Sequence, residues 1–255
     1  RYAQTIQQAI LPQAKRLKEA FRDYFVLFKP KDIVSGDFYW YISVLDEQTG
    51  IEKHYVATVD CTGHGVPGAF MSMIGSRILN EVVIEKGMRS PADILELVNK
   101  SVITALKQNQ EGKFTNSDGM DLSICLLEKI TANTTKVTFS GAKTSLLYYK
   151  AGNPEIQRLR GDKRSIGGLQ RRQEAFEDHE LMLSEGDAIY LSTDGYMDQN
   201  GITNKKFGRQ NFLELLSHVA EMPMQNQEEA LNIALIQHQE GAEQRDDITI
   251  MGIRI

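Results

Sequence analysis

The stretch Ala57-Thr-Val-Asp60-Cys-Thr-Gly-His-Gly-Val-Pro-Gly68-Ala-Phe-Met71 decides how the chain is read. Its first residues end an apolar, β-branched run that begins at Lys53, the pattern of a strand. A glycine-rich loop follows from Cys61 to Gly68. Apolar residues then recur at helical spacing, Phe70, Met73, Ile74, Ile78 and Leu79, to about Glu85. Strand, tight loop and helix in this order set a single carboxylate, Asp60, at a strand end.

Upstream, Tyr24 to Phe28 and Phe38 to Leu45 read as strands, and the turn Asp46 to Gly50 leads into Lys53 to Asp60, so the three form a meander or hairpin. Before them, Ile6, Ile10, Leu17 and Phe21 mark an amphipathic helix. Pro12 predicts a kink or break near Ile10 and Leu11, because proline lacks the backbone donor and clashes one turn back. Downstream, Ser90-Pro91-Ala92-Asp93 starts a second helix that runs to about Gln108, with serine as N-cap. Strands then return at Asp121 to Glu128, Lys136 to Ser140, Ser145 to Lys150 and Glu155 to Leu159. The polar segment Arg160 to Glu174 reads as a mobile flap. Two further strands, Phe176 to Leu183 and Ala188 to Thr193, precede helices at about Gly208 to Glu221 and Gln227 to Glu240. A capping box, Asn226 to Glu229, introduces the second helix. Ile248 to Ile255 closes the chain as a strand. Strand runs with a helix pair in each half predict an α/β (α+β) fold, an α-β-β-α sandwich of two mostly antiparallel sheets flanked by helices.

With 255 residues, 41% of them apolar and 25% charged, the chain can bury the core of one large domain. The net charge of −5 and the lack of a strongly basic run argue against a nucleic-acid partner. Its two cysteines, Cys61 and Cys125, sit in no metal or redox spacing, which fits a reducing cytoplasm. No apolar stretch approaches the roughly 20 residues that span a bilayer. The chain starts at Arg1 without Met and runs at once into a helical pattern, and so reads as part of a longer protein.

Four aspartates share one context, the end of an apolar strand beside a glycine or another small or acidic residue. They are Asp37 in Ser35-Gly-Asp-Phe-Tyr39, Asp60, Asp194 in Ser192-Thr-Asp-Gly195, and Asp246 beside Asp247. If these strand ends meet at one rim, each pair of like charges about 4 Å apart repels by about 4 kcal/mol at an effective dielectric near 20, so the cluster calls for cations. Oxygen ligands without His or Cys select Mg²⁺ or Mn²⁺ over zinc. Two such ions can activate water and clamp a phosphoryl group without a side-chain nucleophile.

The ordered set Ile10-Leu-Pro12, Ser35 to Tyr39, Asp60 to Met71, Phe139-Ser-Gly-Ala142, Ser192 to Gly195 and Asp246-Asp-Ile-Thr249 resembles the metal-dependent (type 2C) protein serine/threonine phosphatases. The likeness is to the bacterial branch of stage II sporulation protein E and the sigma-factor regulatory phosphatases, and it covers nearly the whole chain. It implies two divalent cations, Mn²⁺ or Mg²⁺, held by Asp37, Asp60, Asp194, Asp246 and the backbone carbonyl of Cys61, with Asp60 bridging. Asp246 is chosen over Asp247 because the family places its ligand first in this pair. Asp118 is a candidate for a third metal, or else a solvated turn residue. His64 is a candidate general acid, or else a hydrogen-bonded loop histidine; His54, His179, His218 and His238 match no such context.

The animal enzymes' phosphate-binding arginine has no counterpart before Asp37, where Lys29 and Lys31 are the nearest cations. Gly141-Ala-Lys-Thr144 replaces the branch's frequent Gly-His-Asn-Pro, which leaves Lys143 as either a phosphate contact or a solvated strand-end lysine. Asp198 stands where the branch favours Glu.

The resemblance further implies a catalytic domain at 21–255, led by an N-terminal linker helix at 1–20 that connects to an upstream sensor or membrane domain and is compatible with a dimer through that helix. By the resemblance, the helix pair at 69–85 and 91–108, with the helix entering the domain, acts as a switch that positions the metal-bearing strand loops; the kinked entry helix predicts that signals arriving through Tyr2 to Ala20 control metal occupancy by moving these helices. The implied substrate is a small phosphorylated regulatory protein, of the anti-sigma antagonist type, in the cytoplasm. The alternative is a catalytically weak phosphatase-like module that binds a phosphoprotein.

Overall fold

A computed structural model describes residues 2–110, 113–168 and 174–255. Helices α1 (Tyr2–Gln8) and α2 (Ala14–Ala20) lead into strands β1 (Tyr24–Lys29), β2 (Phe38–Leu45) and β3 (Glu52–Cys61). Helix α3 (Gly65–Asn80) ends in a π-helical turn, Glu81–Glu85, and α4 (Pro91–Ala105) follows. Next come β4 (Asn109–Gln110), β5 (Lys113–Phe114), β6 (Gly119–Thr131), β7 (Thr134–Ala142), β8 (Ser145–Tyr149), β9 (Gln157–Arg160), β10 (Ile166–Gly167), β11 (His179–Ser184) and β12 (Ala188–Ser192). A short α5 (Gly195–Asp198), α6 (Arg209–Val219), α7 (Met224–Gln239) and β13 (Ile248–Arg254) complete the chain.

The strands form two antiparallel sheets, one ordered β1-β13-β12-β8-β9 and the other β11-β7-β6-β3-β2, with β10 added on β6. Alternation along each strand builds three layers of core, since successive side chains point to opposite faces. On β6, Met120, Leu122, Ile124 and Leu126 join the cluster under α3 and α4, while Cys125 and Leu127 join the cluster between the sheets. On the other sheet, Ala188 and Tyr190 pack under α6 and α7, and Ile189 and Leu191 face inward. The expected α-β-β-α sandwich is present. No helix among the described residues is long and apolar enough to cross a membrane.

Pro12 does break the first helix, which stops at Gln8 and resumes at Ala14. Leu17 and Phe21 enter the inter-sheet core, so the leading segment packs on the sandwich. Ser90 caps α4 as expected, its Oγ accepting from the Asp93 amide at 3.3 Å. Two local readings change. β1 does not join the β2–β3 hairpin; it pairs with β13, from the far end of the chain, in the opposite sheet. The capping box at Asn226 is not used: α7 starts at Met224, whose amide donates to the Asp23 carboxylate at 3.1 Å, a cap supplied from a distant loop. Part of the segment read as a flap is strand β10, and its residues 169–173 lie outside the described residues.

Candidate active site

The alternation that builds the core also aims the acids. Val56 of β3 faces the inter-sheet space, so Asp60, four residues on, points the same way as the strand reaches its end. Asp121 lies directly opposite Asp60 on β6. Asp37 precedes β2, and Asp194 follows β12. All of these strand ends open at one rim of the sandwich.

Asp37 is only 2% exposed, and its Oδ2 accepts hydrogen bonds from Thr193 Oγ1 at 2.6 Å and Thr249 Oγ1 at 3.0 Å, which ties the β2 loop to the opposite sheet. Burial pushes its pKa up to about 8, with Asp247 and Asp246 adding to the rise against those two hydrogen bonds. Asp60 is pushed up to about 10, first by burial and then by Asp37, Asp194, Asp246 and Asp121. Asp194 is raised by burial, Asp198 and Asp246, and lowered by a hydrogen bond from Asp60. Four predicted acids thus share one electrostatic cluster, as like charges gathered out of water must.

Asp246 and Asp247 have different surroundings. Buried Asp247 accepts from the Lys31 amide at 2.8 Å and the Gly36 amide at 2.7 Å, so both its oxygens hold the loop before Asp37. Asp246 is exposed, and one of its oxygens accepts from the Asp247 amide. Two glycines let the loops close. A side chain on Gly36 would strike the Gly63 carbonyl, and one on Gly195 would strike the Asp247 carbonyl. The Cys61 carbonyl lies close beside Gly36, and burial followed by Asp37 and Asp60 raises the Cys61 thiol.

Other candidates fall differently. His64 Nδ1 pairs with Asp32 Oδ2 at 2.9 Å and its Nε2 with Lys31 Nζ at 3.2 Å; His64 and Asp32 are exposed and Lys31 is half-buried. Asp118 is exposed on the loop before β6 and is absent from the charges that act on Asp60. Asp121, which the sequence reading missed, occupies the place beside Asp60 and accepts from Ser165 Oγ at 2.7 Å. Its signal was the pairing of two strands that each begin or end on Asp. The remaining histidines make local contacts, such as His54 with the Tyr41 hydroxyl and His238 with the Gln199 carbonyl.

Gln7 was also missed. It is 5% exposed on an otherwise exposed helix turn; its Oε1 accepts from the Ser35 amide at 2.9 Å, and its Nε2 donates to the Ser35 carbonyl and to Ser72 Oγ at 3.0 Å. One carboxamide therefore joins α1, the Asp37 loop and α3.

Among the described residues, no three His, Cys, Asp or Glu side chains are closed into a finished metal cage. The donor set nonetheless fits hard cations: carboxylate oxygens and a carbonyl, crowded until Asp37 and Asp60 retain protons that a divalent ion would displace.

The family model described as stage II sporulation protein E (SpoIIE) matches residues 52–255. A comparison with curated protein sequences returns no match. Among solved structures, the SiaA-PP2C domain of Pseudomonas aeruginosa is 34% identical over 100% of this chain and 94% of that one, with a TM-score of 0.82. The RsbU and RsbW domains of Rv1364c from Mycobacterium tuberculosis match at 19% identity over 91% of this chain and 59% of that one, TM-score 0.68. The PP2C phosphatase domain of SpoIIE from Bacillus subtilis, solved with a fragment of its regulatory domain, matches at 18% identity over 91% and 62%, TM-score 0.64. The last two are likenesses of fold.

Proposed function

This chain belongs to the stage II sporulation protein E family and is a PP2C-type serine/threonine phosphatase domain of bacterial signalling, a metal-dependent class, and from that premise we propose how its own residues do the work. The substrate is a small regulatory protein phosphorylated on serine or threonine, of the anti-sigma antagonist type. Asp37, Asp60, Asp194, Asp246 and the Cys61 carbonyl hold two divalent cations, Mg²⁺ or Mn²⁺. When bound, the pair supplies an activated water and neutralises charge on the phosphoryl group.

Thr193 and Thr249 orient Asp37 by fixing one oxygen, which leaves the other for a ligand. Asp247 orients the loop, and Asp246 would serve as the ligand of the pair. Asp121 stands beside Asp60 as a further ligand at the same rim, a role the sequence reading offered to Asp118. Asp32 fixes the His64 ring through Nδ1, and the His64–Lys31 pair holds a proton for the departing serine or threonine oxygen. Residues 1–20 are the segment through which an upstream sensor acts, because Gln7 reaches the Asp37 loop directly.

The observation that carries this reading is the single electrostatic cluster formed by acids from both sheets. Hydrolysis of a phosphothreonine peptide and of an aryl phosphate, with Mn²⁺, Mg²⁺ or chelator, tests it. Wild type is expected to need the metal, and Asp194→Ala to lose at least about 100-fold in kcat/KM. Activity retained in the variant or in chelator would overturn the mechanism.

A further inference from the structure

The cleft over the acidic rim, about 190 Å³, does not stop at the aspartates. From Asp60, Asp121 and Asp194 it continues past Lys143 to Arg158 on β9 and Arg209 at the start of α6, over a floor that includes Leu147 and Phe212. One half of a single cleft is therefore anionic and the other cationic. We propose that Lys143, Arg158 and Arg209 form a subsite for a carboxylate side chain next to the phosphorylated residue, so that the domain prefers phosphosites with acidic neighbours. The inference rests on the phosphatase reading of the adjoining rim.

Three observations carry it. First, the charges of these cations are not neutralised within the fold: among the described residues none of the three forms an ion pair. The contrast is with Arg164, whose guanidinium is clamped by Glu96 at 2.8 Å, and Arg254, which caps carbonyls at Gly186, Ala220 and Met222.

Second, the arrangement holds them together against their own repulsion. Register places Arg158 opposite Leu147, on the edge strand of its sheet, and its Nε donates to Ser145 Oγ at 3.0 Å, which tethers the side chain to a second residue of the cleft lining. Partial burial, then Arg209 and Arg160, lower the Arg158 pKa, so arginine charges face one another. Opposite charge from a ligand would relieve that repulsion, and a planar guanidinium suits a carboxylate.

Third, Lys143 adopts a left-handed backbone, φ 58°, at the end of β7, a conformation disfavoured for a residue with a side chain. Its amide is held there by the Asp162 carbonyl at 2.7 Å. Lys143 lies within electrostatic reach of Asp121 and stands at the join between the two halves. The wall thus begins where the phosphoryl group would sit and extends away from it, as the side chain flanking a phosphoresidue does.

The test uses phosphothreonine peptides that differ only in one flanking residue, Asp, Ser or Lys. Wild type is expected to favour the Asp peptide over the Ser peptide by about 10-fold in kcat/KM, mainly through KM and less so at high salt, as for a few partly exposed charge pairs. In Arg158→Ala with Arg209→Ala the ratio should fall toward one. In Arg158→Glu with Arg209→Glu it should invert toward the Lys peptide. Equal wild-type rates on the Asp and Ser peptides, or a ratio unchanged in both variants, would overturn the subsite. An aryl phosphate assayed with Mn²⁺ separates the two claims. Turnover of it without a flank preference sinks the subsite alone, whereas no metal-dependent turnover of any substrate sinks the phosphatase reading and the subsite with it.

Discussion

The inter-sheet space has two ends made from the same strands, and they are opposites. At one end Leu17 and Phe21 close the gap, with the Phe21 ring 5.7 Å from both Tyr41 and His54. At the other, Asp37, Asp60, Asp121 and Asp194 crowd together, with Asp37 and Asp60 pushed far above the ordinary carboxylate range. The apolar end stabilises the fold by removing hydrocarbon from water. The acidic end works against the fold until protons or cations neutralise it. A sandwich closed by packing at one end tolerates stored repulsion at the other.

The sharpest way to break that contrast is at the closed end. Leu17→Ala should lower stability by about 2–5 kcal/mol through lost burial and a cavity, measured by denaturant unfolding, while the metal concentration for half-maximal activity stays put. A shift in metal requirement would show that the two ends are not independent.

Next comes pH, acting at the acidic end. In the unfolded chain these carboxylates titrate near 3.8; in the folded, metal-free protein Asp37 and Asp60 hold protons up to about 8 and about 10. The folded state therefore binds protons more tightly, and stability should fall as pH rises from about 4 toward those values. Thermal melts in chelator should drop by several degrees between about pH 5 and about pH 8, and Mg²⁺ should restore the loss at the higher pH. A flat profile in chelator would mean that the cluster stores no repulsion.

The smallest effect concerns the link from the leading helix to the acidic end. Gln7→Ala removes three hydrogen bonds to Ser35 and Ser72. It should raise the metal concentration for half-maximal activity by about 10-fold, with a cost near 1 kcal/mol in global stability. Metal requirement unchanged alongside a full stability loss would make Gln7 a plain packing residue.

Much of this was legible in the chain. The strands around Asp60, the Ser90 cap and the Pro12 break were readable because each depends on neighbours within a few residues. What was not legible depended on distant partners. Asp121 becomes a site residue only through its register with Asp60, and Asp118, three positions earlier, looked as good in one dimension. Gln7 has no local signal in the leading amphipathic helix, and only the meeting of its carboxamide with Ser35 marks it. The start of α7 shifted from the local capping box to Met224 because Asp23, 201 positions away, supplies the cap.

By itself, then, the sequence determined the layer architecture and nominated the acids, since apolar alternation and strand-end carboxylates are properties of short stretches. Only the tertiary structure decided which acids meet, that buried Asp247 holds the loop while Asp246 stays exposed, and that a cationic wall adjoins the rim. The physical reason is range. Periodicity and capping act over a few residues, whereas electrostatic coupling and hydrogen-bond partners depend on distances in space that strand pairing and sheet stacking alone set.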